Sequence, residues 1–409
     1  MRRPTLGVTV TSSDPTSRTA DLTRDFTWGQ VPAQPDAAPE LAFAAVAQTL
    51  PTLGPLAALA GTTFRGRGFN TIFRPQDFDQ TPTPLPLTPD RDNNPDDNIL
   101  ELNLTEEILE FSSALGSVPN RGLVQGDIAL NGIPYVQRIN DVTTAGRSVG
   151  IHFEPGVWLN VPQTDDPTEG TTVVRMASIP HGTTIEAQGT SFPVPRPKID
   201  PVDITPFPIG QPGTRIPFPS QDPANGATFR IPQDLSWFVA KGLITKAILD
   251  DPNSILRDRI ASQNITTTTV IIVDTDPSNP LFAPKPNPDL VGGGTDNIAF
   301  LKGTTSGPNA DAAQMAAIFW VETIADQVTV PALQPGESVT VTGTDVAGDG
   351  LVPSFTVTAA AAVADGTVLD VAYTQVQYTQ LVHLNFRGLT WPHVSIATLI
   401  PADPVAVRP

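Results

Sequence analysis

The stretch LGPLAALAGTTFRGRGFNTIFRP, residues 53–75, carries the strongest structural signal in the chain. A short apolar helical turn runs into Gly61, and a strand-like segment that contains Gly66 and Gly68 follows it. Glycine permits the close backbone approach and the bulges that the corners of a barrel need. This order predicts a small helix that caps one end of a β-barrel, whose first strand, residues 63–74, bends sharply.

The composition indicates a β-rich protein with a sizeable core. The chain has 409 residues, of which 39% are hydrophobic and 16% charged, and such a mixture is not that of a wholly disordered chain. The 44 prolines and 31 glycines favour many turns and long irregular connections over a helical bundle. One large β domain or two smaller ones would fit this length.

Charge and cysteine content narrow the function classes. The formal net charge of −18 and the pI near 4.5 argue against nucleic acid or an anionic membrane surface as the main partner. The absence of cysteine excludes disulfides, thiolate catalysis, cysteine-ligated zinc and iron–sulfur clusters. No segment approaches the roughly 20 apolar residues of a membrane helix, and the start of the chain lacks a signal-peptide core. We therefore expect a soluble cytoplasmic protein, with export by an unrecognised route still open.

Shifts in composition divide the chain into a body with extensions. Residues 1–40 are rich in Thr, Ser, Asp and Pro and predict an arm that could cover the body or bind a neighbouring subunit in a homo-oligomer. The body, residues 41–401, contains a Pro-rich coil-plus-helix insertion at 193–260 and a small β insertion at 333–372. Residues 402–409 form a tail.

Local patterns predict several element boundaries within the body. Residues 99–104 alternate as a strand, a turn is expected at 105–107, and residues 108–111 return as the partner of a hairpin. A break is predicted at Pro155-Gly156. A helix is expected over residues 234–260, interrupted at Asp251-Pro252.

Two segments, at the two ends of the body, carry a family resemblance. The first has the pattern LxxLxG-x-x-x-x-G-x-G at Leu56, Leu59, Gly61, Gly66 and Gly68, and the second is YTQLVHLNFRGLTWPHVSIATL, residues 378–399. Together they resemble the opening and closing strands of nitrobindin-like haem-binding β-barrels. The resemblance implies an antiparallel, calycin-like barrel with a short helical cap and haem as cofactor. It also implies that His393 is the axial ligand of the iron, although Thr63 stands where the family carries a tryptophan.

The closing strand supplies the candidate binding residues. On strand period Trp391, His393 and Ser395 share one face, and a histidine beside small residues leaves room for a planar cofactor. Arg67 and Asn70, near the opening of the barrel, are candidates for binding a carboxylate or a propionate, with solvated strand charges as the alternative. For His393 the alternative is a strand histidine that is hydrogen-bonded in the core or at an exposed rim.

A second group of titratable residues offers a different metal site. His152 and Glu154 lie two residues apart in a strand and face the same side, and His181 lies in a turn at residues 180–182. Two histidines and one carboxylate could form a facial metal triad if the two strands met in the right register. The alternative is a polar strand face with a turn histidine.

Three functions remain open at this stage. The first is a binding protein that holds an apolar small molecule, with haem as the first candidate, inside the barrel. The second is an enzyme, such as a peroxidase, an isomerase or a cyclase, which predicts a titratable group inside the same cavity. The third is a structural or self-assembling protein, which predicts a barrel filled by its own side chains.

Overall fold

A computed structural model describes most of the body. It covers residues 51–80, 83–93, 97–284, 289–304 and 307–408. The predicted arm, residues 1–40, and its expected role in a homo-oligomer lie outside the described residues.

Ten antiparallel strands form a closed barrel in which each strand pairs with its neighbours along the chain. They are β1 Thr63–Pro75, β2 Asn98–Phe111, β3 Ile128–Asp141, β4 Val149–Val161, β5 Thr172–Ile179, β6 Thr183–Val194, β7 Ile265–Asp274, β8 Asp311–Val330, β9 Thr367–Phe386 and β10 Leu389–Pro401. The barrel closes where β1 pairs with β10, with Gly66 opposite Leu399. The predicted mainly β fold with an antiparallel barrel is confirmed.

Gly66 and Gly68 lie where β1 presses closely against β10. A Cβ atom on Gly66 would lie 1.9 Å from the carbonyl oxygen of Thr398, and one on Gly68 would lie 2.1 Å from that of Ile396. No side chain fits at such distances, so the two glycines are required for the barrel to close at this point. The close approach expected from the sequence is therefore present.

The cap at one end of the barrel is a single 3-10 turn, Gly54–Leu56. Leu56 and Leu59 are buried among the side chains of the barrel interior. Asn160, near the end of β4, holds the segment by donating from Nδ2 to the carbonyl oxygen of Thr52 at 3.0 Å. These contacts close the end of the barrel at which β4 finishes.

Two of the predicted strand breaks are wrong. β2 continues through residues 105–107, because Thr105 and Glu107 point into the barrel and are hydrogen-bonded there. β4 continues through Pro155-Gly156. Gly156 forms the last pair of β4 with β5, so Pro155 lies just beyond that ladder, where a proline is tolerated.

The connection between β6 and β7, residues 195–264, covers the outer wall of the barrel. It contains the short strands Phe207–Pro208 and Arg230–Ile231, the 3-10 turn Pro219–Gln221, and the helices α1 Ser236–Ala240, α2 Lys246–Asp250 and α3 Ser254–Ile260. The prediction of one helix with a single interruption is wrong. Gly242, at φ +71°, adds a break after α1, in addition to the expected break near Pro252.

A three-stranded sheet forms a small lobe beside the barrel. Its strands are Ser338–Thr342, Ser354–Thr358 and Val405–Val407, and the last runs parallel to the middle one. The buried side chains of Phe355 and Val357 belong to an apolar cluster that the lobe shares with β8 and β9, including Val328 and Val371. The remaining elements are the 3-10 turn Arg91–Asn93, the strands Val118–Asn120, Thr164–Asp165, Thr168–Glu169 and Gly294–Asn297, and the helix α4 Ala299–Lys302.

The helices are short throughout the part of the chain that the structure describes. None of them is long and apolar enough to cross a membrane.

Candidate functional site

The interior of the barrel is largely occupied by the protein's own side chains. All ten strands contribute to one buried apolar cluster, which includes Trp158, Phe319 and Tyr378. The ring of Phe319 stacks on Tyr378 with centroids 5.3 Å apart and meets Trp158 edge-on at 5.1 Å. A barrel filled by its own side chains is what the structural hypothesis expects for this layer.

Arg175 lies at the centre of a buried hydrogen-bonded network in the same interior. Its guanidinium donates to Glu154 Oε1 at 2.6 Å and to Tyr135 Oη at 2.9 Å. It also donates to Gln380 Oε1 at 2.7 Å. The hydroxyl of Tyr135 donates to Glu154, and His152 Nε2 lies 3.0 Å from Glu154 Oε2. Every polar group of this set therefore has a partner, as buried polar groups require.

The ion pair of Arg175 and Glu154 stays charged at neutral pH. Burial alone would raise the pKa of Glu154, but the charge of Arg175 and the hydrogen bonds from His152 and Tyr135 lower it to about 2. The guanidinium also lies 5.4 to 5.7 Å from the centroids of three aromatic rings, which stabilise a cation through their faces. These rings belong to Tyr135, Trp158 and Phe319.

Glu107 is a second buried carboxyl group with the opposite behaviour. It accepts hydrogen bonds from Tyr378 Oη at 2.6 Å, from Thr105 Oγ1 at 2.9 Å and from Gln137 Nε2 at 3.3 Å. Burial nevertheless raises the pKa of Glu107 to about 7. A Cβ atom on Gly68 would lie 2.8 Å from Glu107 Oε1, so this glycine also makes room for the carboxyl group.

The two carboxyl groups belong to one continuous polar core. Gln137, which donates to Glu107, lies directly opposite Glu154 in the pairing of β3 with β4. Tyr378, the strongest donor to Glu107, reaches it across Ala397 and Gly68, which are small residues on the two intervening strands. The middle of the barrel thus contains two acids whose pKa values differ widely, as in sites that use acid–base chemistry.

Three histidines lie toward the end of the barrel opposite the cap. The rings of His152 on β4 and His181 in the turn between β5 and β6 have centroids 5.4 Å apart. His393 lies on β10 toward the same end, where its ring contacts Thr71 of β1. His181 is exposed, and His152 and His393 are partly buried, so this end is reached by solvent. We refer to His152, His181 and His393 as the histidine end.

His393 is held as a neutral imidazole. Its Nδ1 lies 2.9 Å from the carbonyl oxygen of Thr71, and a carbonyl can only accept, so Nδ1 carries the proton and Nε2 has the lone pair. Burial lowers the pKa of His393 to about 4, although the hydrogen bond to Thr71 opposes the shift. A histidine fixed through one nitrogen leaves the lone pair of the other free to bind iron or to accept a hydrogen bond from a ligand.

Two other predicted site residues lie beside His393. Ser395 follows it on the inward face of β10 and is paired in register with Asn70 of β1. Asn70 Nδ2 donates to Ser395 Oγ at 2.8 Å, and Asn70 Oδ1 accepts from Asn103 at 3.3 Å. The structure therefore brings His393, Ser395 and Asn70 together.

Trp391 and Arg67 lie elsewhere. Trp391 packs between Phe73, Phe218 and Phe386, in the cluster that joins the barrel wall to the 195–264 connection. Arg67 is exposed on the outer face of β1, where Nη1 donates to the carbonyl oxygen of Asp349 at 2.6 Å. The strand period placed Trp391 beside His393, but the packing of the hairpin turns its indole away.

The metal triad that His152, Glu154 and His181 could have formed is not present among the described residues. The two histidines do approach each other, but the carboxylate of Glu154 is taken up by Arg175 and Tyr135. Among the described residues, no group of three or more His, Cys, Asp or Glu side chains is arranged to hold a metal ion.

Three cavities of about 370 to 390 Å³ open between described residues, and none of these three is lined by His393.

Comparison with known proteins found no similarity. The chain matches no family model, no curated protein and no solved structure.

The polar core was not recognised from the sequence, although one signal for it exists. Glu107 shares a strand face with Leu109 and Phe111, because they are two residues apart, and Arg175 shares one with Val173 and Ala177 for the same reason. A charged residue in phase with apolar neighbours on a strand points to the buried face. The alternation therefore marks both as inward-facing positions.

Proposed function

We propose that this protein is a small-molecule-binding β-barrel whose ligand lies at the histidine end. The observation that carries the proposal is that His393, with its ring fixed by Thr71, lies toward the same uncapped end of the barrel as the paired rings of His152 and His181. The packed middle of the barrel stops a ligand from entering deeply. The ligand therefore lies across this end and contacts imidazole nitrogens on one side and solvent on the other.

A planar apolar molecule with an atom that the nitrogen lone pair of an imidazole can coordinate suits this end best, and haem is the first candidate. The fixed tautomer of His393 fits an axial ligand, because Nδ1 is bound to Thr71 and Nε2 has the lone pair. Asn70 and Ser395 lie beside it as polar contacts. When bound, haem would supply an iron atom that binds or exchanges small ligands.

A haemin titration tests this proposal. We expect a saturable Soret shift with the wild-type protein that is lost in His393→Ala. His383→Ala is the matched control, because His383 packs against Phe207 on the outer wall and its removal leaves the shift unchanged. No Soret shift in the wild type, or a shift that is unchanged in His393→Ala, overturns haem as the ligand.

An enzyme is the second candidate, and the pKa contrast inside the barrel favours it. Glu107, with a pKa near 7, could give or accept a proton near neutral pH, beside a hydroxyl group of Tyr378 at 2.6 Å. Chemistry at Glu107 requires that small reagents reach it. Labelling of the native protein with a water-soluble carbodiimide, followed by peptide mass spectrometry, measures this access, and an unlabelled Glu107 removes the enzyme candidate.

The packed layer around Trp158, Phe319 and Tyr378 also suits a structural protein. That hypothesis requires assembly of the chain with itself. Light scattering that shows only monomers over a wide concentration range removes it.

A further inference from the structure

Two arginines on the outer wall of the barrel line a cavity. Arg65 and Arg67 are exposed on β1, and in the described part of the chain neither forms an ion pair with an Asp or Glu side chain. Both side chains donate to backbone carbonyl oxygens instead, Arg65 to Val352 at 3.3 Å and Arg67 to Asp349 at 2.6 Å. A guanidinium has five N–H donors, so one backbone hydrogen bond uses only part of the donor capacity of each side chain, and both residues line the cavity.

The cavity lies between the barrel and the lobe. Its volume is about 370 Å³, its floor is the outer face of β1, β2 and β3, and its far wall is the loop at residues 350–351. The loop is held in place, because Arg259 donates to Asp349 Oδ1 at 2.7 Å and to the carbonyl oxygen of Leu351 at 2.7 Å. A fixed loop opposite fixed strands makes a preformed site.

Strand register sets the arrangement of the charges on the floor. Arg65 pairs with Ile108, and Ile108 pairs with Arg138, so two guanidinium groups flank one apolar side chain. Ile108 is 43% exposed, which leaves an apolar surface between the two cations. In the next row Arg67 lies opposite Glu106.

The charged groups on the floor are three arginines and two acids. Arg138 lies 3.4 Å from Glu110, and Glu106 lies opposite Arg67. Glu107 also lines the cavity, but its carboxyl group lies inside the barrel, where it is hydrogen-bonded to Tyr378. On the outer face the two acids therefore offset two of the three arginines. A local excess of positive charge is unusual in a chain with a net charge of −18, and it favours a small anion over a large acidic partner.

We propose that this cavity is a binding site for a small organic carboxylate. The carboxylate accepts hydrogen bonds from the guanidinium groups of Arg65 and Arg67, neither of which forms an ion pair with an acidic side chain among the described residues. The apolar part of the ligand covers Ile108. The geometry matches the ligand in two ways, since guanidinium donors bind carboxylates in a paired arrangement and the exposed isoleucine loses water on binding. The site lies outside the barrel wall and is separate from the histidine end.

Binding of benzoate, measured by ligand-detected NMR, tests the proposal. We expect saturable binding to the wild type that weakens by at least about tenfold in the double variant Arg65→Gln/Arg67→Gln, because two charge-assisted contacts are lost. Arg121→Gln is the matched control, since Arg121 is an exposed arginine that is paired with Asp127 on a distant loop, and it leaves binding unchanged.

Two additional arms keep the result unambiguous. His393→Ala must bind benzoate as the wild type does, because the histidine end takes no part. Circular dichroism must show that the double variant is folded, which the exposure of both arginines leads us to expect. Absence of saturable binding to the wild type, or equal affinity in the folded double variant, overturns the proposal.

Discussion

Replacement of Arg175 by Met should be among the most damaging single changes in the barrel. The guanidinium is 1% exposed and is the only Arg or Lys side chain paired with the fully buried carboxylate of Glu154 in the described structure, at 2.6 Å. Removing one partner of such a pair leaves an uncompensated buried charge, which costs about 3 to 5 kcal/mol. We expect that loss in the free energy of unfolding, measured by urea denaturation with tryptophan fluorescence, for which Trp158 is a nearby reporter.

A second variant separates the charge from the packing. In Arg175→Met/Glu154→Gln both charges are gone, and we expect at least about 2 kcal/mol of the loss to be recovered, because neutral replacement of a buried pair is often tolerated. Arg121→Met is the surface control and should change stability by less than about 0.5 kcal/mol.

The stability of Arg175→Met should depend on pH in the opposite direction to that of the wild type, because the pKa of Glu154 shifts in the opposite direction. In the wild type the pKa of Glu154 is lowered to about 2, so its stabilising contribution is present above pH 4.5 and is lost as the pH falls towards 2. Without Arg175, burial raises the pKa of Glu154, so stability should fall as the pH rises above 4.5. A single variant as stable as the wild type, or equal losses at pH 5 and pH 8, would refute the reasoning.

Three further predictions follow from other buried groups. Burial raises the pKa of Glu107 from 4.5 to about 7, so the wild type loses stability as the pH rises through this window. The free energy of unfolding of Glu107→Gln, measured by urea titration, should therefore rise by about 3 kcal/mol relative to the wild type between pH 4.5 and pH 8. A difference that does not change with pH contradicts this. Gly68→Ala should destabilise by more than about 3 kcal/mol, since the new Cβ would lie 2.1 Å from a backbone oxygen, whereas Gly170→Ala, with nothing within 4 Å, should be nearly neutral in thermal melts. Arg230→Met should cost about 3 kcal/mol or more and speed hydrogen exchange in residues 218–235, because the buried guanidinium bonds five backbone carbonyls; unchanged exchange there would count against it.

The barrel was predictable because its signals are local. Glycines at 66 and 68 mark the place where β1 approaches β10, and alternation of apolar residues marks most strands. The prediction of a turn at residues 105–107 was wrong because a contact with a residue distant in sequence outweighed the local preference. Glu107 looked like part of a turn, but a strand continues through it because Tyr378, 271 positions away, hydrogen-bonds the carboxyl group inside the barrel.

The candidate site was predicted only in part, for the same reason. Strand period correctly placed His393 and Ser395 on one face, and register brought Asn70 to them. The contact of His393 with Thr71 spans 322 positions and has no local signature. The indole of Trp391 stacks on Phe386 of the same hairpin, so it does not lie on the face that the strand period predicts.

A crystal structure of the protein grown with haemin is the decisive test of the proposed binding site. We expect electron density for the macrocycle across the histidine end, with iron bound to Nε2 of His393 and the Arg175–Glu154 core unchanged beneath it. Density at another position, or a histidine end that contains no haem at saturating haemin, would contradict it.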